Sequence, residues 1–151
     1  MRNEYPKLNG IIAVSEGVRE DLLTTTGMPA DRITAIKNPV TTAEMIRDAQ
    51  TSVDHPWLSE NFGEPVLITV GRLTKNKDHK TLLEAFRLIN DTIPSRLLIL
   101  GEGPERTSLE KIITETGLAD RVQLPGFVDT PWAWMAKSSL FVLSSLSLIH
   151  I

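Results

Sequence analysis

The sequence predicts an α/β domain: a mostly parallel sheet with helices on both faces. Three observations lead there. Short apolar runs rich in β-branched residues alternate with stretches of helical periodicity along most of the chain. Most of these runs are apolar at consecutive positions, the pattern of strands covered on both sides. The helical stretches fall between them, where the crossovers of parallel strands must run.

Taken in order, strands are expected at residues 11–14, 33–36, 66–70, 97–100, 122–124 and 140–143. The first helix begins after Ser15, whose hydroxyl can cap the free amides of a first turn, and stops near Gly27. A second opens with Thr41 and Glu44, the spacing of a capping box. A third covers residues 79–93 behind Asp78, with Leu82, Phe86, Ile89 and Ile93 as its buried stripe. A fourth enters at Pro104 and leaves before Gly117, and it buries Leu109, Ile112 and Ile113. A short fifth spans residues 131–137. The longest irregular piece, residues 50–65, reads as a surface connection between two halves of the domain, pinned by Trp57. No internal repeat or low-complexity segment interrupts this order.

The 151 residues suffice for one domain with a real core. A hydrophobic share of 41% and a charged share of 23% are those of a globular protein, and the net charge of −3 disfavours binding to nucleic acid or acidic membrane. Attraction for an anion must therefore be local. There is no cysteine, which excludes disulfides and thiolate metal sites and suits a reducing compartment, so a cytoplasmic location is expected. His55, His79 and His150 lie too far apart to form a metal-ligand motif. The apolar run near residue 11 is too short to be a membrane span.

In open parallel sheets ligands bind beyond the carboxyl ends of the strands. Three of those ends carry unusual residues here: Gly71-Arg72; Gly101-Glu102-Gly103-Pro104, entering the fourth helix; and the stretch PGFVDTP, Pro125 to Pro131, entering the fifth. Glycines let a ligand approach the backbone, and helix N-termini offer unpaired N–H groups. Arg72 supplies a planar fork for phosphate oxygens and Lys77 a mobile point charge. Each signal also has an ordinary reading. Gly-Arg can be a tight turn, Phe127 core filler, Trp132 and Trp134 packing residues, Lys75 and Lys80 solvated cations, and His79 a water-facing residue of a first helical turn. The weight lies in three glycine-marked strand ends in this order, with a phosphate-bearing ligand as the economical reading. No G-x-G-x-x-G after the first strand and no Walker-type loop is present, which argues against a dehydrogenase or a P-loop NTPase.

The segments AVSEGVREDLL, IKNPV, VGRLTKNKDHKTLLEAF, LLILGEGPERTSLE and VQLPGFVDTPWAWMAKSSLFVLSS resemble, in order and spacing, the donor-binding half of retaining glycosyltransferases of the GT-B fold, family four. That resemblance implies a Rossmann-like domain, one half of a GT-B fold, that binds a nucleotide-diphosphate-sugar co-substrate. It implies that Arg72 and Lys77 grip the donor diphosphate. Gly71, Gly101, Glu102 and Gly103 would shape the nucleotide site, and Phe127 and Val128 would hold the base largely through backbone contacts. Such enzymes usually need no divalent metal, and none is expected here. A UDP-linked donor is common among similar sequences, although no side chain here reads the base.

The match also implies what this chain lacks. The acceptor domain that precedes this half in the family is expected to be absent. Any peripheral contact with a membrane would then come through absent parts. The family's pair of glutamates after the last strand has no counterpart, because no Asp or Glu follows Asp129. Catalytic residues are therefore not assigned. Residues 1–151 are expected to form a single nucleotide-sugar-binding domain, incomplete at its C-terminal end and inactive alone. The stretch from Leu146 to Ile151 is expected to be a read-through or sequencing artefact, and the uncharged tail from Leu140 onward an aggregation liability. Two other readings stand beside this one. One is a non-catalytic nucleotide-sugar-binding module that works with a partner chain. The other, within the same fold, is a sugar-nucleotide epimerase or a phosphorylase, which match these motifs less closely.

Overall fold

The computed structural model describes residues 5–38 and 41–146. The chain forms two compact units, Met1–Thr42 and Ala43–Ile151. In the first, strand β1 (Ile11–Ala13) and strand β2 (Ile33–Ala35) pair in parallel, joined by helix α1 (Glu16–Thr26). Ser15 caps α1 by accepting from the Val18 amide at 3.2 Å, and Gly27 ends it in the left-handed conformation. Ala13, Met28 and Ile33 make a small core, with Tyr5, Ile11, Leu22 and Leu23 packed against it.

The second unit carries helix α2 (Ala43–Asp48), which starts one residue beyond the point a Thr41 cap would set. Its sheet has four parallel strands in the order β5-β4-β3-β6: β3 (Val66–Val70), β4 (Arg96–Leu100), β5 (Val122–Gly126) and β6 (Leu140–Phe141). Helices α3 (His79–Asn90), α4 (Arg106–Glu115) and α5 (Pro131–Lys137) supply the crossovers. The parallel α/β architecture read from the sequence is present. It comprises two separate sheets where one was expected, because β1 and β2 pair only with each other.

Both faces of the larger sheet are buried, which explains its uninterrupted apolar strands. Leu67, Leu97 and Ile99 face one core with Leu82, Leu83 and Phe86 of α3 and Leu109 and Ile113 of α4. Their chain neighbours Val66, Ile68, Leu98 and Leu100 face the opposite way. There they meet Trp134 and Met135 of α5 and Val53, Trp57, Leu58 and Phe62. Residues 50–65 are thus part of the second unit and cover its sheet; they do not run between the two units. Trp57 anchors them, as expected, with the Arg96 guanidinium 5.2 Å from its ring centroid. Pro125 sits within β5, where an edge strand tolerates the missing N–H.

Candidate functional site at the carboxyl ends of β3, β4 and β5

Because the strands are parallel, the three glycine-marked ends meet along one rim. The Gly71 amide continues the ladder by donating to the Leu100 carbonyl at 2.9 Å, and the Gly101 amide donates to the Gly126 carbonyl at 2.7 Å. Beyond the strands the loops stay joined: Leu73 donates to the Glu102 carbonyl at 2.9 Å, and Glu105 donates to the Leu73 carbonyl at 3.0 Å. Leu73 is fully buried in the core. That anchor leaves the preceding residue, Arg72, exposed on the rim.

Two glycines are required by this closeness. Gly101 has φ +133°, and a Cβ there would collide with the Gly71 carbonyl oxygen. A Cβ on Gly103 would collide with the Leu73 backbone. Gly103 therefore serves loop packing, and it does not line the cavity described next.

A cavity of about 290 Å³ opens over this row, lined by Arg72, Gly101, Glu102, Phe127 and Val128 together with Gly71 and neighbouring apolar residues. Phe127 is 74% exposed at its edge, so it is not core filler, whereas Val128 packs inward beside Ile68 and Leu100. Lys77 is not part of the lining, but its side chain passes over Gly71: a Cβ built there would stand 3.9 Å from Lys77 Cδ and Cε. Of the eight residues singled out in the sequence, six line the cavity, Lys77 leans over one of them, and Gly103 stands behind.

The Glu102 carboxylate is the negative charge in this lining, and it is held. Arg106 Nη1 lies 2.7 Å from Glu102 Oε1, Nη2 donates to the Leu124 carbonyl at 2.8 Å, and Nε pairs with Glu110 at 2.9 Å. Sequence reading missed Arg106, although its four-residue spacing from both Glu102 and Glu110 is the ordinary signal of a helical ion pair. Pro131, the first residue of α5 and the end of the third glycine-marked stretch, also lines the cavity.

His79 differs from expectation: it is buried, 4% exposed, and its Nδ1 has no hydrogen-bond partner. Burial first, and then the Lys77 charge, push its pKa below the ordinary 6.5, with Asp78 opposing. The imidazole is therefore neutral at pH 7. Lys75, His79 and Lys80 line a smaller hollow of about 90 Å³ with Asp78 and Glu105. There Lys80 pairs with Glu105 at 3.3 Å. Among the described residues no three His, Asp or Glu side chains gather where they could hold a metal ion. No helix among them is long and apolar enough to cross a membrane.

The chain is similar to known proteins in sequence and in fold. The sequence pattern of the family described as glycosyl transferases group 1 matches residues 53–147, more than half of the chain. A 4-alpha-N-acetylgalactosaminyltransferase acting on a diphospho-undecaprenol-linked saccharide, from Campylobacter jejuni, is 30% identical over 142 residues. The match takes in 94% of this chain and 36% of that protein. An alpha-D-kanosaminyltransferase from Streptomyces kanamyceticus is 28% identical, covering 84% of this chain and 33% of its own length. This chain thus spans about a third of these relatives. Among solved structures, a glycosyltransferase from Rickettsia africae superposes with a TM-score of 0.75 at 18% identity, over 97% of this chain and 41% of that one. Anabaena HepE in complex with UDP superposes at 0.72 with 22% identity, over 96% and 41%. At those identities the structures speak for the fold alone.

Proposed function

The chain belongs to the group 1 glycosyl transferases, and on that premise we propose that the cavity over β3, β4 and β5 binds the nucleotide part of a nucleotide-diphosphate-sugar donor. The observation that carries the proposal is the rim itself. Arg72 and the exposed ring of Phe127 line a glycine-floored cavity, and the Lys77 side chain leans over Gly71 of that floor. A diphosphate suits the two cations. A base and ribose fit between the Gly101 backbone, Glu102, Phe127 and Val128. Gly103, by packing on Leu73, holds the floor in place. The UDP bound by the similarly folded HepE supports a UDP-linked donor here.

The chemistry follows from charge. As the bond between the sugar and its leaving phosphate breaks, negative charge grows on the diphosphate. A guanidinium and an ammonium already in place stabilise that charge more in the transition state than in the ground state. Two fixed cations also fill the part a divalent ion plays elsewhere, so donor binding is expected to persist in EDTA. The transfer proceeds with retention of configuration to an acceptor held by parts of the longer protein, and the present chain binds donor without turning it over.

Calorimetric titration of the 151-residue chain with UDP, GDP, ADP and dTDP tests this reading. Saturable binding of at least one is expected. Arg72→Ala or Lys77→Ala should weaken it by roughly 10- to 100-fold, the range of a charge-assisted contact worth about 1.5–3 kcal/mol. Folded protein that binds none of the four would overturn the proposal.

A further inference from the structure

The segment after β6 reaches back to the loop that carries Lys77. Ser144 Oγ donates to the Lys77 carbonyl at 2.7 Å, across 67 residues of sequence. Two residues on, the Leu146 amide donates to the Asn76 carbonyl at 3.0 Å. Leu73, just before the turn, is bonded to Glu102 and Glu105, but between Thr74 and Asp78 the loop's other hydrogen bonds among the described residues are local. Lys77 donates to the Thr74 carbonyl at 3.0 Å, Asp78 to the Lys75 carbonyl at 3.2 Å, and Thr74 Oγ1 lies 2.6 Å from Asn76 Oδ1. These bonds shape a single 3₁₀ turn, Lys75–Lys77, but do not fix it against the sheet. The turn then leaves through Asp78 at φ +48°, a backbone conformation a non-glycine residue holds only when its surroundings impose it. Between the buried Leu73 and the buried His79 the turn has no buried side chain of its own, and the bonds from Ser144 and Leu146 tie its backbone to a distant part of the chain.

We propose that Ser144 is a positioning residue for the donor diphosphate: by bonding the Lys77 carbonyl it fixes the turn so that the Lys77 side chain stays over Gly71. The inference rests on the donor-site reading above and deepens it. Ser144 is half-buried and touches the backbone of Lys77, so it acts through Lys77 and not on the ligand. An ammonium on a free turn would sample many positions, and ordering it on binding would cost affinity. The hydroxyl meets that cost in advance, at folding.

The test compares Ser144→Ala, Ser144→Thr and Lys77→Ala with the parent chain, using whichever of UDP, GDP, ADP and dTDP it binds best. Ser144→Ala should raise Kd roughly fivefold, the worth of one hydrogen bond. Ser144→Thr, which keeps the hydroxyl, should restore most of the loss. In the Lys77→Ala background the Ser144→Ala change should no longer matter, because the group it positions is gone. Amide exchange at Lys77 and Asp78 should quicken in Ser144→Ala while the amides of α4 keep their rates. A general loss of stability would not give this pattern. Unchanged affinity in Ser144→Ala would overturn the inference and leave the donor site standing, and so would a loss that persists undiminished without Lys77. A parent chain that binds none of the four would overturn both.

Discussion

A buried imidazole with an empty Nδ1 makes the start of α3 sensitive to protons. The folded pKa of His79 lies below its ordinary 6.5, so between the two values the unfolded chain holds more protons than the folded one. The contribution to stability is then full above about pH 6.5 and is lost as pH falls through the folded value. Urea midpoints measured at steps from pH 7.5 to 5 should fall over that window, and His79→Gln should flatten the fall. Sequence reading placed His79 in water, yet the signal was there: residues 79, 82, 83 and 86 share one helical face. Gly101 was singled out because a glycine lets a ligand approach the backbone; the coordinates show a different need, a φ of +133° and a Cβ position already taken by the Gly71 carbonyl.

Element boundaries show which local rules won. The stripe expected for α3 was Leu82, Phe86, Ile89 and Ile93, but the buried residues are His79, Leu82, Leu83 and Phe86, and Ile89 and Ile93 are exposed. The helix stops at Asn90, whose Oδ1 accepts from the Ser95 amide at 3.1 Å and turns the chain into β4. Phe86→Ala should therefore cost about 3–5 kcal/mol by opening a hole in the core. Ile89→Ala should stay within about 0.5 kcal/mol. Chemical denaturation of both variants checks the contrast, and equal losses would mean that the stripe first read from the sequence is the buried one. Helix α4 starts at Arg106 and not at Pro104: Pro104 and Glu105 form a turn, in which the Arg106 amide donates to the Gly103 carbonyl at 3.1 Å.

At the scale of the whole molecule the four-stranded sheet has one well-covered middle and two different edges. β5 is blunted by Pro125. The other edge, β6, begins a segment in which Leu140, Phe141, Leu143 and Leu146 are all exposed. An apolar, uncharged edge strand is a template for pairing with another chain. The 151-residue chain should therefore associate as its concentration rises, and Leu140→Lys with Leu146→Lys should suppress that. Light scattering across a concentration series measures it, and a parent chain that stays monomeric would remove the argument. The expectation of an artefact from Leu146 to Ile151, and His150 with it, falls mostly on residues 147–151, outside the described residues. Leu146 is within them and bonds Asn76.

The sequence by itself determined the order and type of nearly every element, and it marked the loops where glycines and cations gather. Capping, helical spacing and apolar runs are relations between residues a few positions apart, and such relations survive in a bare string. The tertiary structure decided the rest: that β1 and β2 form their own sheet, that β6 returns to lie beside β3, and that Gly103 packs a loop while Lys77 leans over Gly71. It also decided that a serine 67 positions away holds the lysine's carbonyl. The physical reason is that strand order and cross-chain hydrogen bonds depend on which surfaces bury one another best. That is a property of the packed whole, which no local stretch of sequence carries.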